Sequence, residues 1–376
     1  QTIMSLGRAL NIPIETLVDY YVEVENRSDH LMRIYETALT QAGSIEIIRK
    51  VAAKYLESQN EDSQELTDKL FESIGHIEDT SIKISLYDLI IDYSRSHGIM
   101  PYIAKGLYQK YLIERNNFDR LKETYYSGKY VLNYMNFLIQ EQQIELYYKL
   151  GVHAYNLRLY RESVDFCKRI LAEDNGTSPY RVHALGVLRD SYYRLGKFEE
   201  SELYFLQFKQ FCYPNKHEQS TLMEALFNAK RGHTTLAIEQ LQTFLKTCSD
   251  AFILSTANDL IRLYLEQNNT EGIKSVLENS RIIPIVDKLN PFDYYKYGEY
   301  FRLIGEYFSI IDDFDKSISH LLKGAAYFSK INDSDKEKEC LNKIMRIHTE
   351  NNLTMGDHIL KKLSNYFTNA EMEDYT

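Results

Sequence analysis

Leu195-Gly196-Lys197-Phe198-Glu199-Glu200-Ser201 reads as a sharp reversal between two helices. A glycine where the first helix ends tolerates the left-handed backbone that the reversal needs. Phe198 opens the second helix, and the small Ser201 three positions on lets the two helices touch. The same pattern returns at Leu159-Tyr160-Arg161-Glu162-Ser163, at Arg231-Gly232-His233-Thr234-Thr235-Leu236-Ala237 and at Asp312-Asp313-Phe314-Asp315-Lys316-Ser317. A weaker copy stands at Asn269-Thr270-Glu271-Gly272. The small second-helix residues Ser163, Ser201, Ala237, Gly272 and Ser317 follow one another at intervals of 38, 36, 35 and 45 residues. One such turn is weak evidence, but five in near-register are strong, because helix pairs bury a continuous core only by stacking.

This form resembles the tetratricopeptide repeat, whose unit is ~34 residues. The extra residues read as small insertions, and the longest interval contains Arg281 to Pro291, a connector with two prolines. The copies are worn: Gly151 and Gly305 occupy the middle of the first helix, but Arg189 and Leu260 stand there in two others. The expected fold is all-α, a tetratricopeptide-like helical-repeat solenoid over residues 141–333. Residues 30–140 read as degenerate helical repeats, with a polar loop from Ser58 to Gln64 and a worn turn at Asn116 to Leu121. Residues 334–370 read as two final helices that cover the last repeat. Their apolar positions Leu341, Ile344, Ile359, Leu363 and Phe367 serve either capping alone or capping together with a homodimer contact.

Composition agrees with a helical chain. Only 6 Pro and 16 Gly punctuate 376 residues, 44% of them hydrophobic, with 31 Tyr, 17 Phe and no Trp. The formal charge of -10 argues against a nucleic-acid surface over most of the chain. Cys167, Cys212, Cys248 and Cys340 are scattered without a CxxC pair and read as reduced thiols of a cytoplasmic protein. No apolar run reaches the ~18 residues of a membrane span.

The N-terminal segment has its own pattern. Ile3, Leu6 and Leu10 share a helical face, Asn11-Ile12-Pro13 breaks it, and Pro13 can start a second helix. Residues 1–22 resemble the last two helices of a repressor-type helix-turn-helix domain, the remnant left when the recognition helix lies upstream. The alternative is an amphipathic cap on the solenoid.

Solenoid curvature puts the first helix of each pair on the concave face. Those positions carry Tyr148, Lys149, Tyr155 and Asn156, then His183, Asp190, Tyr193 and Arg194, then Lys230. Further along they carry Asn258 and Tyr264, then Glu299, Arg302 and Glu306. This polar and aromatic lining suits an extended peptide: Asn offers donor and acceptor to a backbone amide, Arg or Lys meets a carboxylate, and Tyr packs with a polar tip. Asn156 and Arg194 are the strongest candidates. Catalytic motifs such as HExxH, G-x-S-x-G and GxxxxGK[ST] are missing. The ten His show no ligand spacing, and Glu61-Asp62 and Asp312-Asp313 read as solvated turns. Catalysis, metal and cofactor are therefore not expected.

A helix-turn-helix tail, worn repeats and closing helices together resemble the RRNPP family of peptide-pheromone receptors. Tyr147 to Phe211 and Tyr294 to Phe328 are most similar to the arbitrium receptors of temperate phages. That resemblance implies a cytoplasmic homodimer whose DNA operator binding is switched by a short signalling peptide in the groove. It places a peptide-binding Asn at Asn156 and a basic residue near Arg181, with Tyr180 at the aligned position. A second family Asn is Val152 here, beside His153. Two other readings remain open: an interaction adaptor without DNA binding, and a regulator that acts directly on a response-regulator protein.

Overall fold

The computed structural model describes residues 14–40, 44–174, 176, 178–212, 215–278, 289–351 and 356–368. Among these there are α-helices and short 3-10 segments and no strand. The chain divides into two units: the first takes residues up to 117 with 123–146, the second 118–122 with 147 onward.

The first unit contains α1 (Ile14–Val24), α2 (Ser28–Thr40), α3 (Ile45–Leu56), α4 (Ser63–Gly75), α5 (Thr80–His97), α6 (Met100–Glu114) and α7 (Leu121–Val131). Helix starts follow local chemistry. Ser44, Asp62 and Asp79 each accept a hydrogen bond from a backbone N–H of the first turn, satisfying donors that a helix leaves unpaired. Leu31, Tyr35 and Ala38 repeat at helical spacing and bury one face of α2. Val18 and Val22 of α1 share that core with Tyr55, Leu66, Leu70 and Ile90. The described part of the N-terminal segment is thus packed into this unit, and the pattern at Ile3, Leu6 and Leu10 lies outside the described residues. The expected worn turn at Asn116–Leu121 is a 3-10 segment, Phe118–Arg120.

The second unit is a run of helix pairs: α8 (Gln140–Asn156) with α9 (Tyr160–Glu173), α10 (Pro179–Arg194) with α11 (Phe198–Phe208), and α12 (Lys216–Lys230) with α13 (Thr234–Thr247). Then come α14 (Asp250–Glu266) with α15 (Thr270–Leu277), α16 (Pro291–Ile310) with α17 (Phe314–Ser329), and finally α18 (Ser334–Glu350) and α19 (Asp357–Phe367). All five expected turns are present. Each has one residue in the left-handed region: Arg158 (φ 60), Gly196 (φ 73), Gly232 (φ 86), Asn268 (φ 54) and Asp312 (φ 60). The next N–H returns to a carbonyl five residues earlier in each: Leu159 to Ala154, Lys197 to Tyr192, His233 to Asn228, Asn269 to Tyr264 and Asp313 to Phe308. This is a Schellman closure. Asn332 (φ 54) adds a sixth between α17 and α18, where the sequence pattern gives no comparable turn.

The small second-helix residues do more than make room. Ser163, Ser201 and Ser317 each donate a hydrogen bond to a first-helix carbonyl twelve residues back, at Gly151, Arg189 and Gly305 (2.7–2.8 Å). Each bond ties a pair together where both helices are buried. Of the Arg281–Pro291 connector, the residues before 289 lie outside the described ones. Pro291 is the first residue of α16, and Asn290 forms a capping box with Asp293.

Cys167 and Cys340 are fully buried, Cys248 is buried and Cys212 is exposed. Burial pushes the Cys167 and Cys340 thiols up to about 12, leaving almost no nucleophilic thiolate at neutral pH. Brief treatment of the folded chain with iodoacetamide is expected to label Cys212 alone. Peptide mapping that found Cys167 or Cys340 labelled as fast as Cys212 would contradict this packing. No described helix is long and apolar enough to cross a membrane.

Candidate functional site

In the second unit α14, α16 and α18 share one charged surface. Arg262 reaches Asp259 at 2.6 Å and Glu299 at 3.5 Å. Arg302 holds both oxygens of Glu299, each at 3.0 Å, through Nε and Nη2. Its Nη1 meets Glu306 at 2.7 Å and Glu339 at 3.3 Å. Lys336 joins Glu299 (3.2 Å) to Glu339 (2.8 Å), and Lys343 closes on Glu306. Burial acts to raise the Glu299 pKa, but Arg302, Lys336 and Arg262 outweigh it and hold the carboxyl well below its usual range. This chain of pairs is internally satisfied.

At one end of it lies a small crevice, with a cavity of about 20 Å³, lined by Tyr155, Asn156, Arg158, Tyr160, Arg194, Pro291, Phe292 and Tyr295. Arg158 seals one side. Its guanidinium sits over the Tyr295 ring at 4.2 Å and pairs with Asp333. Nearby, the Asn332 amide donates to the Asp119 carbonyl at 2.8 Å. The first and last helix pairs of this unit are thereby joined. A bulky residue in the left-handed region costs about 1–2 kcal/mol. The ion pair and the ring stacking are what hold Arg158 in that geometry.

Arg194 and Asn156 differ from the rest of the lining. Arg194 is exposed, lies over Tyr295 at 5.9 Å and is surrounded by Tyr155 and Tyr160. No carboxylate among the described residues pairs with it, and no described side chain bonds Asn156. Partial desolvation by the rings beside it acts to lower the Arg194 pKa, but the phenol groups and Asp259 outweigh this and raise it, so its charge is permanent.

Tyr148 stands apart with Tyr180 and His183, its ring centroid 5.3 Å from each, and Lys149 lies over Tyr148 at 5.6 Å. Burial and the Lys149 charge lower the His183 pKa. Asp190 is held by Arg189 through two bonds, 2.7 and 3.1 Å. Tyr193 packs edge-on against Phe198 and Phe227, and Lys230 lies over Phe198.

Several expected groove residues point elsewhere. His153 is buried, with Nε2 at 2.8 Å from the Leu121 carbonyl. Arg181 donates to the carbonyls of Leu171 and Asp174, so its charge caps the end of α9. Tyr264 is core, its hydroxyl accepting from Gln242 at 2.7 Å. Asn258 is buried and donates to the Lys296 carbonyl at 2.9 Å. Arg302 and Glu306 are taken up by their mutual pair and by Glu299 and Lys343. Ile344 and Ile359 are buried in the chain's own core, with Leu341 and Leu363 packed against it. A surface for a second copy would need exposed apolar groups, and on α18 and α19 Met345, Leu360 and Phe367 are exposed.

Arg158, Tyr160, Arg262, Tyr295, Lys336 and Glu339 are part of this surface and are not evident from the sequence pattern. A long charged residue at the position where other turns carry Gly, Asn or Asp is the available signal for Arg158. The others belong to helix faces whose meeting depends on how the pairs stack. Among the described residues no cluster of His, Cys, Asp and Glu suits a metal ion.

No protein-family model matches the chain, and no curated protein is similar to it in sequence. Among solved structures it is similar to a Signal Transduction ATPase with Numerous Domains that has a tetratricopeptide repeat sensor, from Pyrococcus horikoshii. That match has 10% identity and TM-score 0.47, covering 90% of this chain and 58% of the other, so this chain spans little over half its length. It is also similar to the apo form of the quorum sensor NprR from B. thuringiensis, with 12% identity, 88% and 97% coverage and TM-score 0.39. A third is BtubC from P. vanneervenii, with 13% identity, 77% and 94% coverage and TM-score 0.28. At these identities and scores none of them decides what this chain does.

Proposed function

We propose that the second unit binds a short linear peptide along the face formed by α8, α10, α14 and α16, as a regulatory binding module and not as an enzyme. The observation that supports this is the pair Asn156 and Arg194. Both face one cavity in a lining whose other charged groups are already matched, while Arg194 has no anion and Asn156 no side-chain partner. A polar side chain kept open in this way is ready to exchange water for a ligand's backbone amide or charge. The finer reading is that occupancy switches the DNA binding of a homodimeric regulator. It rests on the resemblance of residues 1–22 to a helix-turn-helix tail and on the apolar C-terminal helices.

The test is thermal unfolding of the chain against peptides of five to eight residues. A peptide at 100 times its Kd is expected to stabilise the fold by ~2.7 kcal/mol, a shift of several degrees. That shift should disappear in Asn156→Ala and in Arg194→Ala. A folded protein partner that raised the midpoint where no peptide did would favour the adaptor reading instead.

A further inference from the structure

We infer that the ligand of this groove presents a carboxylate group to Arg194. The inference rests on the peptide reading above and names the chemistry of one end of the site. The other guanidinium lining the cavity, Arg158, already has Asp333 as its anion, and in the adjoining charged network Arg262 has Asp259 and Glu299, and Arg302 has Glu299, Glu306 and Glu339. Arg194 alone of this group has no carboxylate at salt-bridge distance among the described residues, and it is open to the groove. A planar guanidinium takes a carboxylate through two parallel hydrogen bonds, which supplies both strength and orientation.

The surroundings select the kind of anion. The phenols of Tyr155, Tyr160 and Tyr295 line the same cavity. Burial raises the pKa of Tyr155 and of Tyr160, so at neutral pH their hydroxyls stay protonated and can donate to a bound oxygen. Asp259 acts on Arg194, and Asp190 on Tyr155. Those two carboxylates oppose a second negative charge. One unpaired cation with neutral donors and acidic neighbours fits a monoanion and disfavours a phosphate dianion. Asn156, in the same cavity, offers a donor and an acceptor to the peptide group next to that carboxylate.

The carboxylate has two sources, the C-terminus of the peptide or an Asp or Glu side chain. Three hexapeptide libraries separate them: free C-terminus without Asp or Glu, C-terminal amide without Asp or Glu, and C-terminal amide with Asp and Glu. Each is passed over the intact immobilised chain, retained members are identified by mass spectrometry, and their Kd values are measured. Retention from the first library identifies the C-terminus, and retention from the third a side chain. Binding of the retained peptide is expected to weaken about 10- to 100-fold in Arg194→Gln. The comparison between libraries uses the unaltered chain, so it does not depend on how that variant folds. Equally tight retention from the carboxylate-free library, competed by the other two, overturns the inference and leaves the peptide reading intact. Retention from none of the three overturns both.

Discussion

Replacing Glu299 by Gln is expected to lower the unfolding free energy of the chain by about 3–5 kcal/mol, the usual consequence of breaking a buried ion pair from one side. Glu299 is 3% exposed and Arg302 7%, so solvent cannot take over when the carboxylate is lost. Arg302 would keep Glu306 and Glu339 but lose the two-pronged partner that fixes its plane. Lys336 and Arg262 would each lose a contact as well. Urea unfolding of the intact chain measures the effect, and a loss below about 1 kcal/mol would mean that the network is not a structural element. The pH dependence has a definite sign. The folded-state pKa of Glu299 is lowered, so its stabilisation is complete above the ordinary Glu value of about 4.3 and is lost as pH falls from there toward the folded pKa. Glu299→Gln should remove that part of the acid-side loss.

The second large effect is expected at Gly324→Val, roughly 3 kcal/mol of destabilisation through overpacking. A Cβ at this position would lie 3.1 Å from the Gly298 carbonyl oxygen and 3.2 Å from the Arg302 backbone nitrogen. Both are backbone atoms of α16, so relief requires α16 and α17 to separate. Such a movement would displace α16, which carries Tyr295 of the cavity, and peptide binding should weaken together with stability. Gly75 is the control: nothing lies within 4 Å of a Cβ built there, and Gly75→Ala should change stability by less than about 0.5 kcal/mol. Thermal unfolding of both variants decides it. Equal midpoints would show that the close approach of α16 and α17 can be relieved cheaply.

Part of the candidate site is legible in the order of residues alone. Asn156 and Arg194 end the first helices of two neighbouring pairs, and the repeat register by itself puts both on one face. The same register also selects Tyr264, and the family resemblance points beside Val152 to His153, yet both turn into the core. Helical spacing gives an approximate face, and neighbouring side chains decide whether a residue at its margin is lined up with solvent or with the interior. Arg181 is similar: its charge suits a ligand, yet nearby carbonyls at the end of α9 take it first. The apolar C-terminal stripe covers the last pair, as its spacing suggests, and Ile344 and Ile359 are used up inside it.

What the sequence determined by itself is the chain of helix pairs and their turns, because each turn is closed within six residues, from Tyr192 to Lys197 or from Phe308 to Asp313. Left-handed geometry at one residue, a small residue four or five later and its bond to the preceding helix are all local, and local chemistry is readable in order along the chain. Only the tertiary structure decided the cavity. Arg158 meets Asp333 and Tyr295, and Asn332 meets Asp119 across 213 residues. Such contacts depend on small rotations accumulated from pair to pair. No single stretch of sequence encodes that sum, and it alone leaves Arg194 facing the groove with its charge unmatched.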